Sequence, residues 1–167
     1  MTEEGTLYSV GKGNFGSLGL GGTIFAPSPR LVNKLSNKKI ISIACGMYHT
    51  LALSNIGDVF SWGRGFEGQL GLLESVESTS SPHFIPHFFK YNSDKDIKIL
   101  QKTPIIEIAC GSYHSIAIDN ENNVYCWGEA MYGQTGNGKK SKEKVPVKVP
   151  IEVDVNIVLF RVNTKKW

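Results

Sequence analysis

Two short strings set a thiol and an imidazole four residues apart: Cys45-Gly46-Met47-Tyr48-His49 and Cys110-Gly111-Ser112-Tyr113-His114. Cysteine and histidine are zinc ligands, and a thiol beside an imidazole also makes a cysteine nucleophile. In extended chain, however, residues four apart lie about 13 Å from each other, beyond the reach of a shared ion. The second ligand pair would have to come from a neighbouring part of the fold. A reactive centre is usually single, whereas this pair recurs at the same place in a repeat. It therefore reads as architecture: a small buried thiol, and a histidine hydrogen-bonded to backbone. His83 and His87 have metal-like spacing only on a helix, which Pro86 opposes. No catalytic residue, metal or cofactor is assigned.

The glycine strings suggest phosphate chemistry. Gly11-Lys-Gly13-Asn-Phe-Gly16 and Gly63-Arg-Gly65-Phe-Glu-Gly68 satisfy G-x-G-x-x-G, in which backbone N–H groups approach a pyrophosphate at a helix start. The context is wrong, because no apolar helix follows and a third copy has Ala130 at the middle position. Gly133-Gln-Thr-Gly-Asn-Gly138-Lys139-Lys140 nearly matches a phosphate loop, but Lys140 stands where a hydroxyl must meet magnesium. Turns and close backbone approach explain these glycines better.

The elements that carry these residues have the period of strands. In His49-Thr50-Leu51-Ala52-Leu53 the larger side chains alternate, and the segment Ser54-Asn-Ile-Gly57-Asp58 separates it from Val59-Phe60-Ser61-Trp62. This predicts a hairpin. The second copy has Asn122 in place of Gly57, and these two residue types best tolerate positive φ. Apolar residues from Val145 to Ile157 alternate with Pro146, Lys148, Pro150, Glu152, Asp154 and Asn156. That pattern is extended, with its prolines at an edge or outside a ladder.

The strings are parts of a longer repeat. Gly11-x4-Gly16-x2-Gly19 returns as Gly63-x4-Gly68-x2-Gly71 and Gly128-x4-Gly133-x2-Gly136, and Ile43-Ala-Cys45-Gly46 returns as Ile108-Ala-Cys110-Gly111. Gly11 to Gly63 spans 52 positions, while Gly63 to Gly128 and Cys45 to Cys110 each span 65. An insert therefore lies between Gly71 and Cys110. The units run approximately 1–35 (partial), 36–101 (with the insert at 73–101), 102–150 and 151–167 (degenerate or truncated). Trp62 and Trp127 recur at matched positions beside Phe60 and Tyr125 and read as core. The insert is rich in aromatics and off the repeat. Its His83, Phe84, His87, Phe88, Phe89 and Tyr91 are the candidate partner contacts, unless they fold back over a sheet edge.

The 167 residues are 41% apolar and 20% charged, enough to fill a core in a single repeat region. The net charge of +3 is too small and scattered for a surface that tracks phosphates, so strong direct nucleic-acid binding is not expected. Lys139, Lys140, Lys142 and Lys144 read as a solvated loop, with nuclear targeting or a phosphate contact as alternatives. The acidic start does not resemble a secretory signal, and no stretch approaches the ~20 apolar residues of a membrane span. An intracellular protein is expected, nuclear or cytoplasmic. Cys45, Cys110 and Cys126 sit in apolar runs, as reduced, buried thiols do.

The combination Ile-Ala-Cys-Gly-x-x-His-Thr/Ser-x-Ala, then Val-Phe/Tyr-x-Trp-Gly, then Gly-Gln-Leu/Thr-Gly resembles the regulator of chromosome condensation repeat family over roughly residues 7–150. The resemblance implies an all-β fold: a partial β-propeller of about three blades built from four-stranded antiparallel sheets. At about 55 residues per unit it is too short to close a seven-bladed ring alone. Val10 replaces the tryptophan in the first copy, and Ile157 to Trp167 lacks the Cys-Gly and histidine of the next. On that count the exposed end blades need further blades or self-association. The implied function is a non-enzymatic protein-interaction scaffold with a protein partner. Other members of the family suggest two alternatives: guanine nucleotide exchange on a Ran-type small GTPase, or substrate recognition within a larger ubiquitin ligase. A fold does not carry an activity with it.

Overall fold

The computed structural model of the chain describes residues 1–72, 76–86, 88–91 and 100–151. Twelve strands occur among them: β1 (Tyr8–Lys12), β2 (Phe25–Leu31), β3 (Ile40–Cys45), β4 (His49–Ser54), β5 (Val59–Arg64), β6 (Ser78–Phe84), β7 (Phe89–Tyr91), β8 (Leu100–Lys102), β9 (Ile105–Cys110), β10 (His114–Asp119), β11 (Val124–Gly128) and β12 (Glu143–Lys148). All pair antiparallel with chain neighbours, as β1-β2, β3-β4-β5-β6, β7-β8 and β9-β10-β11-β12. The expected partial propeller is present as two complete four-stranded blades preceded by a two-stranded half. No described residue is α-helical, and the first glycine string closes in one short 3-10 turn, Asn14–Gly16. No helix of the described residues is long and apolar enough to cross a membrane.

The two complete blades share one register. His49 faces Gly63 and Thr50 faces Trp62 across β4-β5, just as His114 faces Gly128 and Ser115 faces Trp127 across β10-β11. The hairpin expected at Gly57 and Asn122 forms in both copies, with φ of 77° and 62°. Short polar side chains tie each turn. Ser54 Oγ accepts the Asp58 N–H at 3.0 Å, and the Asp119 carboxylate accepts from the N–H groups of Glu121 and Asn123, from Asn123 Nδ2 and from Tyr125 Oη. Burial pulls the Asp119 carboxyl up. The bonds from Asn123, Glu121 and Tyr125 outweigh that and leave it below its ordinary value.

The alternation in His49-Thr-Leu-Ala-Leu would leave one face wet in an isolated sheet, but every residue of β4 is buried. The reason is sheet stacking. Leu51 and Leu53 join Val59, Ile105, Ile108 and Trp127 in one core, while Ala52 joins Leu7, Val32, Leu35, Ile40, Phe60 and Trp62 in another. A middle strand between two cores hides both of its faces. β12, which carries Pro146, has only β11 beside it, consistent with proline's missing donor.

The insert folds back. Ile85 and Phe88 are 0% and 4% exposed within the core between the two complete blades, and the Phe88 ring stands edge-on to Tyr125 and Trp127 at 5.4 and 5.9 Å. Below that core Lys102 Nζ pairs with the Asp58 carboxylate and bonds the Ile56 carbonyl at 3.0 Å.

Candidate functional site

The repeated residues meet at the joint between sheets. The Ser17 carbonyl, in the loop after β1, accepts Trp62 Nε1 at 2.8 Å and Thr50 Oγ1 at 3.1 Å from the next sheet. One blade on, the Gln69 carbonyl accepts Trp127 Nε1 at 2.9 Å and Ser115 Oγ at 2.8 Å. The last glycines of the two motifs make room for these indoles, because a Cβ on Gly71 would stand 2.8 Å from Trp127 Nε1 and one on Gly19 2.9 Å from Trp62 Nε1. Gly16 and Gly68 abut the following sheet's outer strand at Ser80 and at Glu143-Lys144. Gly11, Gly63 and Gly128 lie at bulges with φ near +105° (110°, 101° and 106°). The glycine strings therefore hold one blade in the next.

Gly46 and Gly111 serve the histidines: a Cβ at either would come within about 2 Å of the imidazole Cε1, at 2.1 and 2.0 Å. His49 is buried, and its Nε2 lies 3.0 Å from Ser115 Oγ in the next blade. At His49 the expected backbone partner is thus replaced by a hydroxyl that the stacked blade supplies. Among the described residues the His49 Nδ1 is the buried side-chain polar atom left without a partner. Burial, and then repulsion from His114, hold the imidazole down to about 4. The thiols correct a second expectation: Cys126 is buried, but Cys110 is half-buried and Cys45 exposed. Cys45 is the last residue of β3, an edge strand of its sheet, and pairs with Thr50 of β4. Desolvation by neighbouring protein raises all three thiols, the exposed Cys45 included, and takes Cys126 to about 11, which keeps them protonated and poorly nucleophilic. No group of three or more His, Cys, Asp or Glu residues able to hold a metal occurs among the described residues.

The sheet topology also decides which loops share an end. β3 and β5 run towards the end where the Cys-Gly turns lie, and β9 and β11 do the same in the next blade. The turns at Tyr48 and Tyr113 therefore stand beside the loops after β1, β5 and β11. A cleft of about 640 Å³ opens there, lined by Phe15, Tyr48, Arg64, Phe66, Glu67, Tyr113 and Lys142. The Arg64 guanidinium sits 5.0 Å from the Tyr113 ring, 5.2 Å from Phe66 and 5.7 Å from Phe15, and donates to Glu67 Oε1 at 2.8 Å. Gln69 fixes this pair by donating to Glu67 Oε2 at 3.3 Å. Phe15 packs edge-on to Tyr48 at 5.3 Å, yet Phe15 and Phe66 remain 39% and 46% exposed. The arrangement offers an aromatic floor and a guanidinium held by Glu67.

Of the partner contacts expected in the insert, Phe84 and Phe88 fall in different surroundings. β6 leads away from the cleft, so the chain beyond Phe84 emerges at the opposite end. His83 and Phe84 lie on β6, with Phe84 partly exposed against Phe60 at 5.9 Å. Phe88 is core and is not available to a partner. Phe89 and Tyr91 occupy β7, and His87 lies outside the described residues. Sequence reasoning passed over Phe15, Tyr48, Phe66 and Tyr113 because two of them sit inside glycine strings and two beside histidines. Tyr48 and Tyr113, each one residue before the repeated histidine, were the available signal.

The profile of the Regulator of chromosome condensation (RCC1) repeat matches residues 4–53, 57–118 and 121–161, and a second profile of that repeat matches 40–69 and 105–134. The chain is 39% identical over 142 residues to Protein RCC2 of Homo sapiens, covering 85% of this chain and 25% of that protein. It is 37% identical over 138 residues to a bifunctional serine/threonine-protein kinase/NEDD4-like E3 ubiquitin-protein ligase of Dictyostelium discoideum, covering 81% of this chain and 7% of the other. Among solved structures, Prp20p from Saccharomyces cerevisiae, described together with its binding properties to Gsp1p and histones, superposes with a TM-score of 0.73 at 28% identity. That match covers 95% of this chain and 37% of the yeast one. The chain thus spans a quarter or less of these curated relatives' length. Its repeats, the joints they build and these likenesses together place it in the regulator of chromosome condensation repeat family.

Proposed function

We propose that the chain is a non-enzymatic protein-interaction scaffold, acting inside the cell, whose docking face is the cleft around Arg64. The carrying observation is the exposure of Phe15 and Phe66 beside a guanidinium already fixed by Glu67. Exposed aromatics next to an ordered arginine have the composition of an interface centre, and loops on a rigid repeat are where such centres sit. The test compares proteins captured from cell extract by the immobilised chain and by Phe66→Ala, which removes an exposed ring. Partners lost with the variant support the reading, and an unchanged set overturns it.

Nucleotide exchange on a Ran-type GTPase is the second reading, favoured by the likeness to Prp20p, which was described with its binding to Gsp1p. Exchange needs differential binding only, which a docking face supplies. Faster GDP release from such a GTPase at micromolar chain supports it, and an unchanged rate removes it. Substrate recognition for a ubiquitin ligase, suggested by the Dictyostelium relative, requires a catalytic domain beyond these 167 residues.

A further inference from the structure

We infer that the cleft takes an acidic peptide segment carrying an aromatic or large aliphatic side chain, the apolar group lying among Phe15, Phe66 and Tyr113 and the carboxylates meeting Arg64 and Lys142. This rests on the docking-face reading and adds the chemistry of the partner. Three observations carry it. Arg64 has five guanidinium N–H donors, and among the described residues its one side-chain hydrogen bond goes to Glu67, so donors remain for a second carboxylate. The aromatic rings around it and the Gln69–Glu67 contact hold the guanidinium in place, so binding does not have to order it.

The rim is positive. Lys142 is exposed and its Nζ reaches only the Phe66 carbonyl, at 3.4 Å, leaving its charge unmatched by any described carboxylate. Glu143, next in the chain, already faces Lys139 at 3.9 Å and Asn137. Glu67, the single acid in the lining, is occupied by Arg64 and Gln69. A basic partner would meet Lys142 and a pre-paired Arg64, whereas an acidic one meets unspent donors. A cleft of about 640 Å³ holds two or three side chains, the size of a short linear segment.

The experiment is fluorescence anisotropy of the full chain with short labelled peptides: one with Asp and Glu around a single Trp, one with those acids changed to Asn and Gln, one with the Trp changed to Ser, and one with phosphoserines in place of the acids. The acidic Trp peptide should bind most tightly, with the neutral and the Ser peptides each weaker by about tenfold or more. Lys142→Glu, an exposed change that leaves the fold intact, should weaken the acidic peptide about fivefold or more, and the neutral one by less than twofold. Arg64→Lys, which keeps the charge and loses the fork, should also weaken the acidic peptide. The assignment is overturned if the neutral peptide binds as well, if Lys142→Glu changes nothing, or if the phosphoserine peptide binds while the carboxylate peptide does not. Binding of the neutral Trp peptide that Phe66→Ala abolishes removes the acidic partner and leaves the docking face standing. No binding by any peptide removes the acidic partner as well, and the docking face then stands or falls on the capture comparison.

Discussion

Gly68 and Gly133 hold the same place in successive glycine strings and have nearly the same backbone, φ 85° and 77°. Replacing either by alanine puts a Cβ into left-handed backbone, at about 1 kcal/mol. Either change also narrows the unfolded ensemble, which returns about 0.4–1 kcal/mol. These effects are common to the two sites and cancel in the comparison. What differs is the neighbour. The new Cβ at Gly68 would stand 2.7 Å from the Glu143 carbonyl oxygen and 2.9 Å from Lys144 Cα, both backbone atoms of β12, whereas at Gly133 nothing lies within 4 Å. Backbone in a paired strand yields poorly, so overpacking adds about 1–3 kcal/mol at Gly68 alone. Urea unfolding followed by the fluorescence of buried Trp62 and Trp127 reads the difference. With a slope of about 1–3 kcal/mol/M, the Gly68→Ala midpoint should fall about 1 M below that of Gly133→Ala. Equal midpoints would show that these glycines answer to local turn geometry and that the inter-blade contact contributes nothing.

Acid should loosen the same joint: an unfolded imidazole takes its proton near 6.5, but folded His49 refuses it until about 4, so stability is full above pH 6.5. It falls by about 3 kcal/mol as the pH drops to 4. Urea midpoints at pH 7 and pH 4.5 should separate for the native chain and draw closer in His49→Gln. Ser115→Ala removes the hydroxyl between His49 Nε2 and the Gln69 carbonyl, leaving a buried ring with both nitrogens bare, and should cost about 1–3 kcal/mol by the same assay. Asn122→Gly relieves a φ of 62° and should be neutral or stabilising by up to about 1 kcal/mol. Gly57→Asn should destabilise, since a Cβ there would lie 2.7 Å from Pro104 Cα. A thermal melt that ranks these last two the other way round would contradict the turn assignment.

The fold was legible because its markers are local. Gly57 and Asn122 announce the hairpins, and Trp62 and Trp127 announce the sheets they pin. What the sequence hid is contact across the repeat. Nothing in Cys45-Gly46-Met-Tyr-His49 says that Ser115, 66 residues on, takes the imidazole, and a backbone partner was the natural expectation for a lone strand. The matched thiols Cys45 and Cys110 differ in exposure although their local strings are nearly the same, so that difference belongs to the assembled blades. The insert misled for a related reason: aromatics off the repeat look like surface anchors, yet Phe88 fills a gap between two blades that only stacking creates.

The cleft is a product of those same long-range joints. Phe66 and Glu67 lie between Gly65 and Gly68. That loop is pinned through the Gln69 carbonyl by Trp127 and Ser115, while Tyr113 comes from the following blade. Its aromatic floor therefore exists only where one blade has closed on the next, and the rigidity that holds Arg64 in place is borrowed from the packing of the sheets. Gly68→Ala, which touches β12 and is not itself in the cleft lining, should then weaken acidic-peptide binding as well as lower the urea midpoint, whereas Gly133→Ala should leave binding unchanged and the midpoint about 1 M higher than that of Gly68→Ala. A Gly68→Ala chain that is destabilised yet binds the acidic Trp peptide with native affinity would show that the loop holds its shape without the joint, and would break the link between stacking and recognition.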